Sequence, residues 1–588
     1  MTKEYKSILL VKLPECTHPN DTEVNNDCKK KQPFRPVPSL ALATLSAFFE
    51  KYNSFGYKLN VVDLNIEAYT KPGENIEISS LVNLLQSCLN TKYNVLALST
   101  MYVFNAKWVA DAVKTSKKNN PQAKIIVGGG FPSIFPEKCL MDNDIDDVVI
   151  GEGEATLLHI LNGYNNYVDE EFNNKFVFNG FATKNKDGKF ALTPLEKYLD
   201  LKDLPEPDWS ALNVKNYFEN SGNTLLPIEA SRGCPFKCTY CSTNLQWGYK
   251  VRYKSIDQMI EEILNTRGKY KDVEVHFIDD NMAVDKKWIK ELLHTMVERK
   301  IKIDGTASNF DIRLLDREII ELLVKVGVKE FAVAIESASP EIQREIKKYL
   351  RNDQVKEIVG IMMEQEGLYV HLNWMVGFPN ESLKQIQATF NFAKELNAHS
   401  NQFLTVLPYP GTELFEKIQS DNLLDFNDVT DLGKFHNRAC DYIKSDEWNF
   451  ESLSEMTYDA NIEINFLNNI KLETNKGMEK MFNLVKGLLK TLPEHVIALI
   501  TAGYIAKKIG KTTEWRDFYE KAIKQLNRDN PSKTFAKYLL WDNRIIHDFN
   551  LYADTSITRG KNYPIGKLMN SCDEGLTTAV GQPGRNIS

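Results

Sequence analysis

Strand-like and helix-like segments alternate along most of this chain of 588 residues, in two separate series. In the first series, short apolar runs that suit buried strands occupy residues 7–13, 59–64, 95–100, 124–127 and 147–150. Helix-length stretches separate these runs, as in residues 40–52, where Leu42, Leu45, Phe48 and Phe49 share one side. Strands that alternate with helices predict βαβ units and a parallel sheet, and therefore an α/β fold.

The predicted strands of the first series end in small or glycine-rich segments. Ser99-Thr100 follows the third strand, Gly128-Gly129-Gly130 the fourth, and Gly151-Glu152-Gly153-Glu154 the fifth. Ligands of open α/β sheets bind at such carboxyl ends of the strands. We therefore predict a Rossmann-like binding domain with a parallel sheet over residues 1–165. A dinucleotide site is disfavoured, because the triple glycine does not open a helix with the GxGxxG pattern.

A second series of six predicted strands begins after a proline-rich segment. Leu204-Pro205-Glu206-Pro207-Asp208 is typical of a linker, which we place at residues 166–222. The strands that follow are predicted at residues 225–229, 273–279, 303–308, 330–335, 369–376 and 402–407. Six βα units predict a partial (β/α)6 TIM-like barrel over residues 223–440, with its chemistry at the carboxyl ends of the strands. Helical periodicity at 481–492, 494–509 and 515–526 then predicts a mostly helical C-terminal domain over residues 441–588, which ends in a polar tail.

The composition is that of a globular, intracellular protein. Hydrophobic residues make up 43% of the chain, which supplies enough apolar surface for several cores. The formal net charge is −7, so the chain offers no general attraction to nucleic acid. Mean hydropathy is −0.36, and no apolar run approaches the roughly 20 residues that span a bilayer. The first residues lack the apolar core of a signal peptide, so we expect a cytoplasmic protein without a membrane partner.

Three of the nine cysteines fall within eight residues, directly after the first strand of the second series. Cys234, Cys238 and Cys241 form a CxxxCxxC pattern. Thiolates are the usual ligands of iron–sulfur clusters, and three of them can hold three irons of a [4Fe–4S] cluster while the fourth iron stays open. A structural zinc site is disfavoured, since no second CxxC or nearby His supplies a fourth ligand. Unrelated buried thiols are the remaining alternative.

With an aromatic residue, Tyr240, just before its last cysteine, this motif resembles that of the radical S-adenosylmethionine (SAM) superfamily. Further segments match in order along residues 220–420. They are Phe277-Ile278-Asp279-Asp280-Asn281, Ala334-Ile335-Glu336-Ser337, Val376-Gly377-Phe378-Pro379-Asn380-Glu381 and Pro408-Tyr409-Pro410-Gly411-Thr412-Glu413. These segments are similar to the second-strand ending, the GIES segment, the GxPxE turn and the PYPGT segment of that superfamily, although Ala334 stands where Gly is usual.

The resemblance implies the cofactors and the first steps of the chemistry. The three cysteines bind the [4Fe–4S] cluster, and the amino and carboxylate groups of SAM take its fourth iron. One-electron reduction, by an external partner such as flavodoxin or ferredoxin, cleaves SAM to a 5′-deoxyadenosyl radical that abstracts hydrogen from the substrate. Tyr240 is expected beside the adenine, and Arg313 and Glu336 are expected as polar contacts to SAM. Core packing for Tyr240, and ion pairing inside the barrel for the other two, are the alternatives.

A Rossmann-like domain placed before such a barrel resembles the cobalamin-dependent subgroup of this superfamily. Residues 36–43, 61–63, 99–101, 126–132 and 151–154 are similar to segments of its B12-binding domain in the same order. The resemblance implies that cobalamin contacts Ser99, Thr100, Gly128, Gly129, Gly130, Glu152 and Gly153. Successive glycines let the backbone approach a bulky ligand, and Ser99 and Thr100 offer small hydrogen-bonding groups.

One departure concerns the histidine that lies under cobalt in other cobalamin enzymes. That histidine belongs to a DxHxxG segment, and this chain contains no DxH sequence at all. The resemblance to the radical SAM subgroup also implies cobalamin without this lower ligand. A scaffold domain that binds nothing is the alternative.

The combined resemblance implies a cobalamin-dependent methyltransferase that acts on an unactivated carbon of a small molecule or peptide. A carbon without an acidic proton cannot take a methyl group from SAM by ordinary SN2 transfer, which explains the need for two cofactors. A cobalamin-containing radical SAM enzyme that catalyses a rearrangement or cyclisation without methylation is the first alternative. A tRNA methylthiotransferase is a weaker one, because Cys16, Cys28, Cys88 and Cys139 do not form the additional cluster set of that group and the acidic charge disfavours a polyphosphate substrate. A non-enzymatic cofactor carrier is the last.

Two expectations concern the arrangement of the domains. The carboxyl-end loops of the Rossmann-like domain and of the barrel should face each other, because two cofactors would share one active site. The C-terminal domain should close over the barrel and help to select the substrate. Its candidate contacts are Phe435, His436, Cys440, Tyr442 and Trp448, although aromatic residues at such positions more often pack.

Overall fold

The computed structural model describes residues 6–16, 18, 36–67, 78–176, 180–184, 187–195, 197–221, 224–271, 273–303, 305–424, 443–511, 513–526 and 537–557. The chain divides into two compact units. One contains Met1–Phe392 and Leu404–Ser454, and the other contains Ala393–Phe403 and Glu455–Ser588.

The first sheet has seven strands in the order β2-β1-β3-β4-β5-β6-β7. They are Ser7–Lys12 (β1), Lys58–Asp63 (β2), Val95–Ser99 (β3), Lys124–Gly128 (β4), Asp147–Val149 (β5), Phe181–Lys184 (β6) and Phe190–Thr193 (β7). The first five pair in parallel, while β6 and β7 pair antiparallel at one edge. β1 and β3 are buried along nearly their whole length, as expected for a parallel sheet that is covered on both faces.

The two antiparallel edge strands lie in the segment that the sequence predicts as a linker. Ala182 is the buried residue of β6, and the side chains of β7 alternate between exposed and half-exposed positions. Such short strands contain no continuous apolar run, so hydrophobic periodicity does not reveal them. Residues 181–193 therefore extend the first sheet.

The second sheet has six strands in the order β15-β14-β13-β12-β11-β8 and forms the partial barrel. Two further strands, β9 and β10, make a separate antiparallel ribbon around the segment with the three cysteines. These eight strands are Leu225–Ile228 (β8), Ser231–Arg232 (β9), Arg252–Tyr253 (β10), Glu274–Phe277 (β11), Thr306–Phe310 (β12), Glu330–Glu336 (β13), Tyr369–Val376 (β14) and Ser400–Thr405 (β15). Neighbours from β8 to β14 pair in parallel. The predicted α/β class is confirmed.

Helices separate most of these strands along the chain and also follow the last one. They are Leu40–Tyr52 (α1), Leu64–Glu67 (α2), Ile78–Cys88 (α3), Ala106–Asn119 (α4), Gly130–Ile134 (α5), Pro136–Met141 (α6), Glu154–Gly163 (α7), Glu170–Lys175 (α8), Val214–Asn216 (α9), Thr243–Trp247 (α10), Ile256–Lys269 (α11), Lys286–Glu298 (α12), Arg317–Lys325 (α13), Pro340–Glu345 (α14), Asn352–Glu364 (α15), Leu383–Leu396 (α16), Glu413–Ser420 (α17) and Phe450–Ile462 (α18). The barrel helices are amphipathic; α12, for example, buries Ile289, Leu292, Leu293 and Met296.

The second unit is a helical bundle. Its main helices are Asn475–Thr491 (α19), Val496–Lys508 (α20), Glu514–Leu526 (α21) and Arg544–Ile557 (α22). All side chains from Val496 to Ala506 are buried, and Phe482, Tyr519 and Phe549 of the surrounding helices belong to the same core. The predicted helical C-terminal region is confirmed. Among the described residues, no helix combines the length and the apolar character needed to cross a membrane.

Candidate functional site

The three cysteines lie on a loop between β9 and α10, close to the carboxyl end of β8. Gly233, which precedes the first cysteine, has a φ of +98°, and a Cβ there would lie 2.6 Å from the Lys250 carbonyl oxygen. A side chain is therefore excluded at this position. The Gly233 N–H donates to Oδ2 of Asp280 at 3.2 Å, and the Cys234 N–H donates to the Gly248 carbonyl at 3.5 Å. The start of the loop is thus fixed by the segment that precedes β10 and by the segment that follows β11.

Other parts of the barrel hold the middle of this cysteine loop. The Thr239 N–H donates to the Ile346 carbonyl at 3.1 Å, and the Thr239 carbonyl accepts from the Leu414 N–H at 2.8 Å. The side-chain amide of Asn244 donates to the Phe236 carbonyl at 2.9 Å. These bonds fix the loop through its backbone.

The thiols of the cysteine loop are half-buried and form no disulfide. Burial, and to a smaller degree the neighbouring thiols of Cys241 and Cys238, raise the pKa of Cys234 to about 11. Burial also raises the pKa of Cys238, while the cations of Lys348 and Arg313 act in the opposite direction. Iron binding requires thiolates, and nearby cations lower the cost of forming them.

The donor atoms of the cysteine loop decide whether an iron–sulfur cluster can bind there. Within the ranges that the structure describes, no group of three His, Cys, Asp or Glu side chains has the geometry of a preformed metal site. Three thiols on one loop, close enough to influence one another and flanked by two cations, nevertheless match three-cysteine ligation of a [4Fe–4S] cluster. The predicted metal ligands are therefore chemically suited to the cluster.

A buried carboxylate lies beside the cysteine loop, at the end of β13. Oε1 of Glu336 accepts hydrogen bonds from the Tyr240 hydroxyl and from the Lys348 ammonium, both at 2.8 Å. The side chains of Glu336 and Lys348 are each only 6% exposed. Burial and the adjacent carboxylate hold the pKa of Tyr240 well above its usual range. The structure therefore joins two predicted SAM contacts, Tyr240 and Glu336, through one hydrogen bond.

The third predicted SAM contact, Arg313, has an acidic partner. Its Nε donates to Oδ1 of Asp311 at 2.8 Å, and its guanidinium carbon lies 3.9 Å from the centre of the Phe236 ring. Both Arg313 and Glu336 thus form ion pairs inside the barrel, while their contact with SAM stays a prediction. Sequence reasoning missed Lys348, because it follows no recognised motif.

The segment after β11 supports the start of the cysteine loop. Oδ1 of Asp279 accepts from the Ala230 N–H at 3.1 Å and from the Ser231 hydroxyl at 2.6 Å. Burial raises the pKa of Asp279 to about 7, and burial likewise raises the pKa of Asp280 to about 6. The family resemblance marks this segment, and the structure shows that its two carboxyl groups orient the backbone on which the first cysteine sits.

A cavity of about 580 Å³ lies between the first sheet and the barrel. The carboxyl-end loops of the first sheet form one wall, with Ser99, Thr100, Met101, Gly128, Gly129 and Gly130. Barrel residues form the opposite wall, among them Leu225, Pro227, His276 and Ile278. Gln246 and Trp247 of α10 complete the lining next to the cysteine loop. The loops at the ends of the two sheets thus face each other, as the sequence predicts.

The triple glycine at the end of β4 is packed against other parts of the chain. Gly129 has a φ of +112°, and a Cβ there would lie 2.0 Å from the Thr100 carbonyl oxygen. A Cβ on Gly130 would lie 2.2 Å from the Met101 carbonyl oxygen and 2.9 Å from Nε2 of Gln246. The sequence predicts that these glycines admit a ligand, whereas in the structure the two admit the neighbouring loop and α10. Their contact with cobalamin stays a prediction.

Thr100 lies in the wall of this largely apolar cavity. Thr100 is only 3% exposed, and its Oγ1 is buried without a hydrogen-bond partner. An unpaired buried hydroxyl is unusual, but because protein covers this atom, a ligand in the cavity reaches it only if the wall moves. The wall around it includes Leu98, Ile126 and Val149. A large ligand with apolar ring faces, such as a corrinoid, fits a wall of this kind.

The other predicted cobalamin contacts divide into two groups. Ser99 and Gly153 line the cavity, while Glu152 is directed into an ion-pair cluster. Oε1 of Glu152 lies 2.7 Å from Arg252 and 3.1 Å from Arg232, and its Oε2 accepts from a backbone N–H at 2.8 Å. Both carboxylate oxygens are therefore already hydrogen-bonded within the protein.

The suggested substrate contacts near the C-terminal domain receive little support. Phe435, His436, Cys440 and Tyr442 lie outside the described residues. Trp448 is buried, and its indole N–H donates to the Glu381 carbonyl at 2.8 Å. This side chain therefore has a packing role.

Two family models match the chain. The B12 binding domain model matches residues 35–161, and the Radical SAM superfamily model matches residues 228–393. The first range contains Thr100 and the triple glycine, and the second contains the three cysteines, Arg313 and Glu336.

Two curated relatives and one solved structure illustrate what this chain is similar to. Cytidylyl-2-hydroxyethylphosphonate methyltransferase of Streptomyces wedmorensis is 25% identical over 72% of this chain and 84% of its own. Anaerobic magnesium-protoporphyrin IX monomethyl ester cyclase of Rubrivivax gelatinosus is 25% identical over 55% of this chain and 59% of its own. The cobalamin-dependent SAM radical enzyme OxsB, solved with aqua-cobalamin and SAM, aligns over 97% of this chain and 84% of its own, with a TM-score of 0.62 and 13% identity. That structural likeness confirms the fold.

Proposed function

Because this chain belongs to the cobalamin-dependent radical SAM enzymes, in which a B12-binding domain precedes a radical SAM domain, we propose that it is a methyltransferase for an unactivated carbon. The observation that supports this most directly is the cavity that both domains line. Its walls bring Thr100 and the triple glycine close to α10, the helix that follows the three cysteines. A radical formed on one side and a methyl donor held on the other would therefore share one enclosed space.

On the barrel side, we propose that Cys234, Cys238 and Cys241 hold a [4Fe–4S] cluster. When bound, this cluster supplies the electron that cleaves SAM to a 5′-deoxyadenosyl radical. Glu336 and Lys348 present opposite charges beside the loop, which suits the amino and carboxylate groups of SAM. The Tyr240 hydroxyl keeps the Glu336 carboxylate oriented through their hydrogen bond.

On the other side, we propose that Ser99, Thr100, Gly128 and Gly153 contact cobalamin, which supplies the methyl group when bound. The corrin ring would then pack against the aliphatic residues around Thr100, whose own hydroxyl is covered by protein. The aliphatic wall keeps water away from the ring. Gly129 and Gly130 shape the loop that positions these groups, because they let it pack on the backbone of residues 100–101.

The substrate is a small molecule or a peptide that enters the barrel interior. His276 lines the cavity from β11, and His371 and Asn373 occupy alternate half-buried positions of β14, with Nε2 of His371 3.1 Å from Oδ1 of Asn373. Alternate residues of a barrel strand point to the interior, so these groups are available to orient a polar substrate.

Two further parts of the proposal concern the surroundings of the enzyme. The electron for the cluster comes from a small one-electron carrier, such as flavodoxin or ferredoxin. The thiols of the cysteine loop must stay reduced to bind iron, which favours the cytoplasm as the compartment.

Anaerobic turnover with SAM labelled in its methyl group tests the proposal. The reconstituted full chain is incubated with hydroxocobalamin, a chemical reductant and a metabolite extract of the host cell, and a parallel reaction omits the reductant. We expect iron–sulfur and corrinoid absorption bands together, 5′-deoxyadenosine, and a metabolite that gains the labelled methyl group. If 5′-deoxyadenosine forms but no molecule gains the label, the enzyme is not a methyltransferase.

A cyclisation without methyl transfer is the second candidate. The relative from Rubrivivax gelatinosus, a cyclase that is 25% identical, is the observation that favours it. The same reaction distinguishes the two candidates, because a cyclase would form 5′-deoxyadenosine and a product that has lost hydrogen but carries no label.

A further inference from the structure

Five charged side chains, three of them buried and two half-buried, form an ion-pair cluster at the edge of the cavity. We name it the Arg232 cluster; its members are Glu152, Glu154, Glu229, Arg232 and Arg252. Arg232 uses all three nitrogens of its guanidinium. Nε lies 2.8 Å from Glu229, Nη2 lies 2.8 Å from Glu154, and Nη1 lies 3.1 Å from Glu152.

The second guanidinium of the Arg232 cluster comes from the opposite strand of the ribbon. Arg252 pairs with Arg232 in the backbone ladder of β9 and β10, and its Nη1 lies 2.7 Å from Glu152. The arginines also lie over aromatic rings, Arg232 at 5.0 Å from the centre of Trp247 and Arg252 at 4.7 Å from that of Tyr198. Arg232 is therefore held through all three nitrogens, which fixes its position, whereas Arg252 is held through Nη1 alone and its Nε and Nη2 are buried without a hydrogen-bond partner.

Burial makes the Arg232 cluster costly. The side-chain exposures are 5% for Arg232, 6% for Glu152 and 7% for Glu154, and those of Glu229 and Arg252 are 13% and 10%. Burying charges costs free energy even when they are paired, and an apolar replacement is often equally stable. Stability alone therefore does not explain five charges at this place.

The members of the Arg232 cluster come from the two domains that line the cavity. Glu152 and Glu154 lie at the start of α7 in the B12-binding domain, while Glu229, Arg232 and Arg252 belong to the radical SAM side. Arg232 directly precedes Gly233 and the first cysteine. Arg232, Glu154 and Glu229 also line the cavity. The cluster thus joins the base of the cysteine loop to the wall that carries Gly153.

We propose that Arg232 is a positioning residue that fixes the cysteine loop against the B12-binding domain, so that the two cofactors stay at one separation. The inference rests on the proposed function, because it assumes that both cofactors bind. A planar fork with three carboxylate partners can set such a separation, whereas a single ammonium can satisfy only part of the bonds. Neither the radical chemistry nor the methyl transfer uses Arg232 directly.

The test compares Arg232→Gln, Arg232→Lys and a control in the full chain. Each protein is reconstituted with iron and sulfide, loaded with hydroxocobalamin and reduced, and the magnetic coupling between Co(II) and the reduced cluster is measured by EPR. The control, Lys254→Met, breaks another buried ion pair of the same unit, in which Lys254 lies 2.6 Å from Glu262. Circular dichroism and the cofactor content show which variants are folded and loaded.

We expect the coupling to weaken and broaden in Arg232→Gln, to change less in Arg232→Lys, and to be unchanged in the control. Labelled methyl incorporation should fall by about 100-fold in Arg232→Gln, since a misplacement of about 1 Å has that effect, while 5′-deoxyadenosine formation persists. If Arg232→Gln does not fold, the magnetic coupling measured in Arg232→Lys tests the inference instead. A coupling equal to that of the parent in both variants overturns the inference. A parent without any coupling overturns the proposed function instead, and this inference with it.

Discussion

The cysteine loop belongs to the barrel, and the triple glycine belongs to the first sheet. Both segments lie near the cavity and need glycine at particular positions, but the charges of the neighbouring side chains differ. Near the cysteine loop, Arg313, Glu336 and Lys348 are all engaged in buried or half-buried ion pairs. Near the triple glycine, the wall is largely aliphatic, and the hydroxyl of Thr100 has no partner. On the barrel side, SAM would therefore meet paired charges, whereas the wall around the triple glycine is mainly apolar. The charged residues of that wall, Lys12, Glu15 and Glu154, are held in ion pairs.

This difference predicts which kind of substitution would weaken ligand binding on each side of the cavity. A charged ligand depends on a few strong partners, so single substitutions near the cysteine loop should remove binding selectively. A bulky ligand with a large contact surface depends on the shape of the wall, so a backbone displacement matters more than any one hydrogen bond. Four predictions follow this division, from the largest expected effect to the smallest.

Substitution of one cysteine should abolish the function of the barrel side and leave the other side intact. In Cys238→Ala we expect loss of the iron–sulfur absorption and no 5′-deoxyadenosine above background, because a cluster ligand is missing. Hydroxocobalamin should still bind, as measured by equilibrium dialysis. Cys88→Ala, which changes a half-buried thiol outside the loop, is the matched control and should behave like the parent. SAM cleavage by Cys238→Ala at the rate of the parent would contradict the assignment of the loop.

The reverse separation is expected for Gly130→Ala. The new Cβ would lie 2.2 Å from the Met101 carbonyl oxygen, so the loop must move. Such overpacking costs about 1–3 kcal/mol. We expect hydroxocobalamin affinity to fall by about 10- to 100-fold, which corresponds to that range, while the cluster still assembles. Gly163→Ala is the control, since its Cβ would meet no atom within 4 Å. Unchanged affinity in Gly130→Ala would show that this loop does not shape the corrinoid site.

The two sides also differ in how far the sequence predicts them. The cysteine loop is contiguous, so its ligands and the need for Gly233 can be read from one short segment. The long buried strands are predicted for the same reason, because each is a local apolar run. Lys348 and the Arg232 cluster are not predicted, since the partners of Arg232 at Glu152 and Glu154 lie about 80 residues away and no local pattern marks such contacts. The triple glycine is predicted only in part. Its pattern predicts that other atoms approach the glycine backbone closely, but it does not predict that these atoms belong to the protein itself.

A smaller effect is expected from Glu336→Gln, which tests whether the paired charges near the cysteine loop serve SAM. The neutral side chain can still accept a hydrogen bond from Tyr240, but Lys348 loses its counter-charge. We expect SAM affinity to fall by about tenfold, equivalent to about 1.4 kcal/mol, with unchanged iron content. Equilibrium dialysis of the reconstituted protein with labelled SAM measures this. Glu341→Gln, which changes an exposed carboxylate, should have no effect. Equal SAM affinity in both variants would leave Glu336 with a structural role only.

The smallest effect on cofactor binding is expected from Asp279, the carboxyl group that supports the cysteine loop, whose titration changes the pH dependence of stability instead. Burial raises the pKa of Asp279 to about 7 from the ordinary value of 3.8, so the native chain holds this proton after the unfolded chain has released it. The contribution of Asp279 to stability therefore falls as the pH rises from about 4 to about 7 and is constant above that range, with a slope of at most about 1.4 kcal/mol per pH unit. Asp279→Asn cannot titrate, but its side-chain oxygen can still accept from Ala230 and Ser231. Thermal unfolding of both proteins across this range should show the midpoint of the parent falling relative to that of Asp279→Asn, and a constant difference would mean that Asp279 titrates normally.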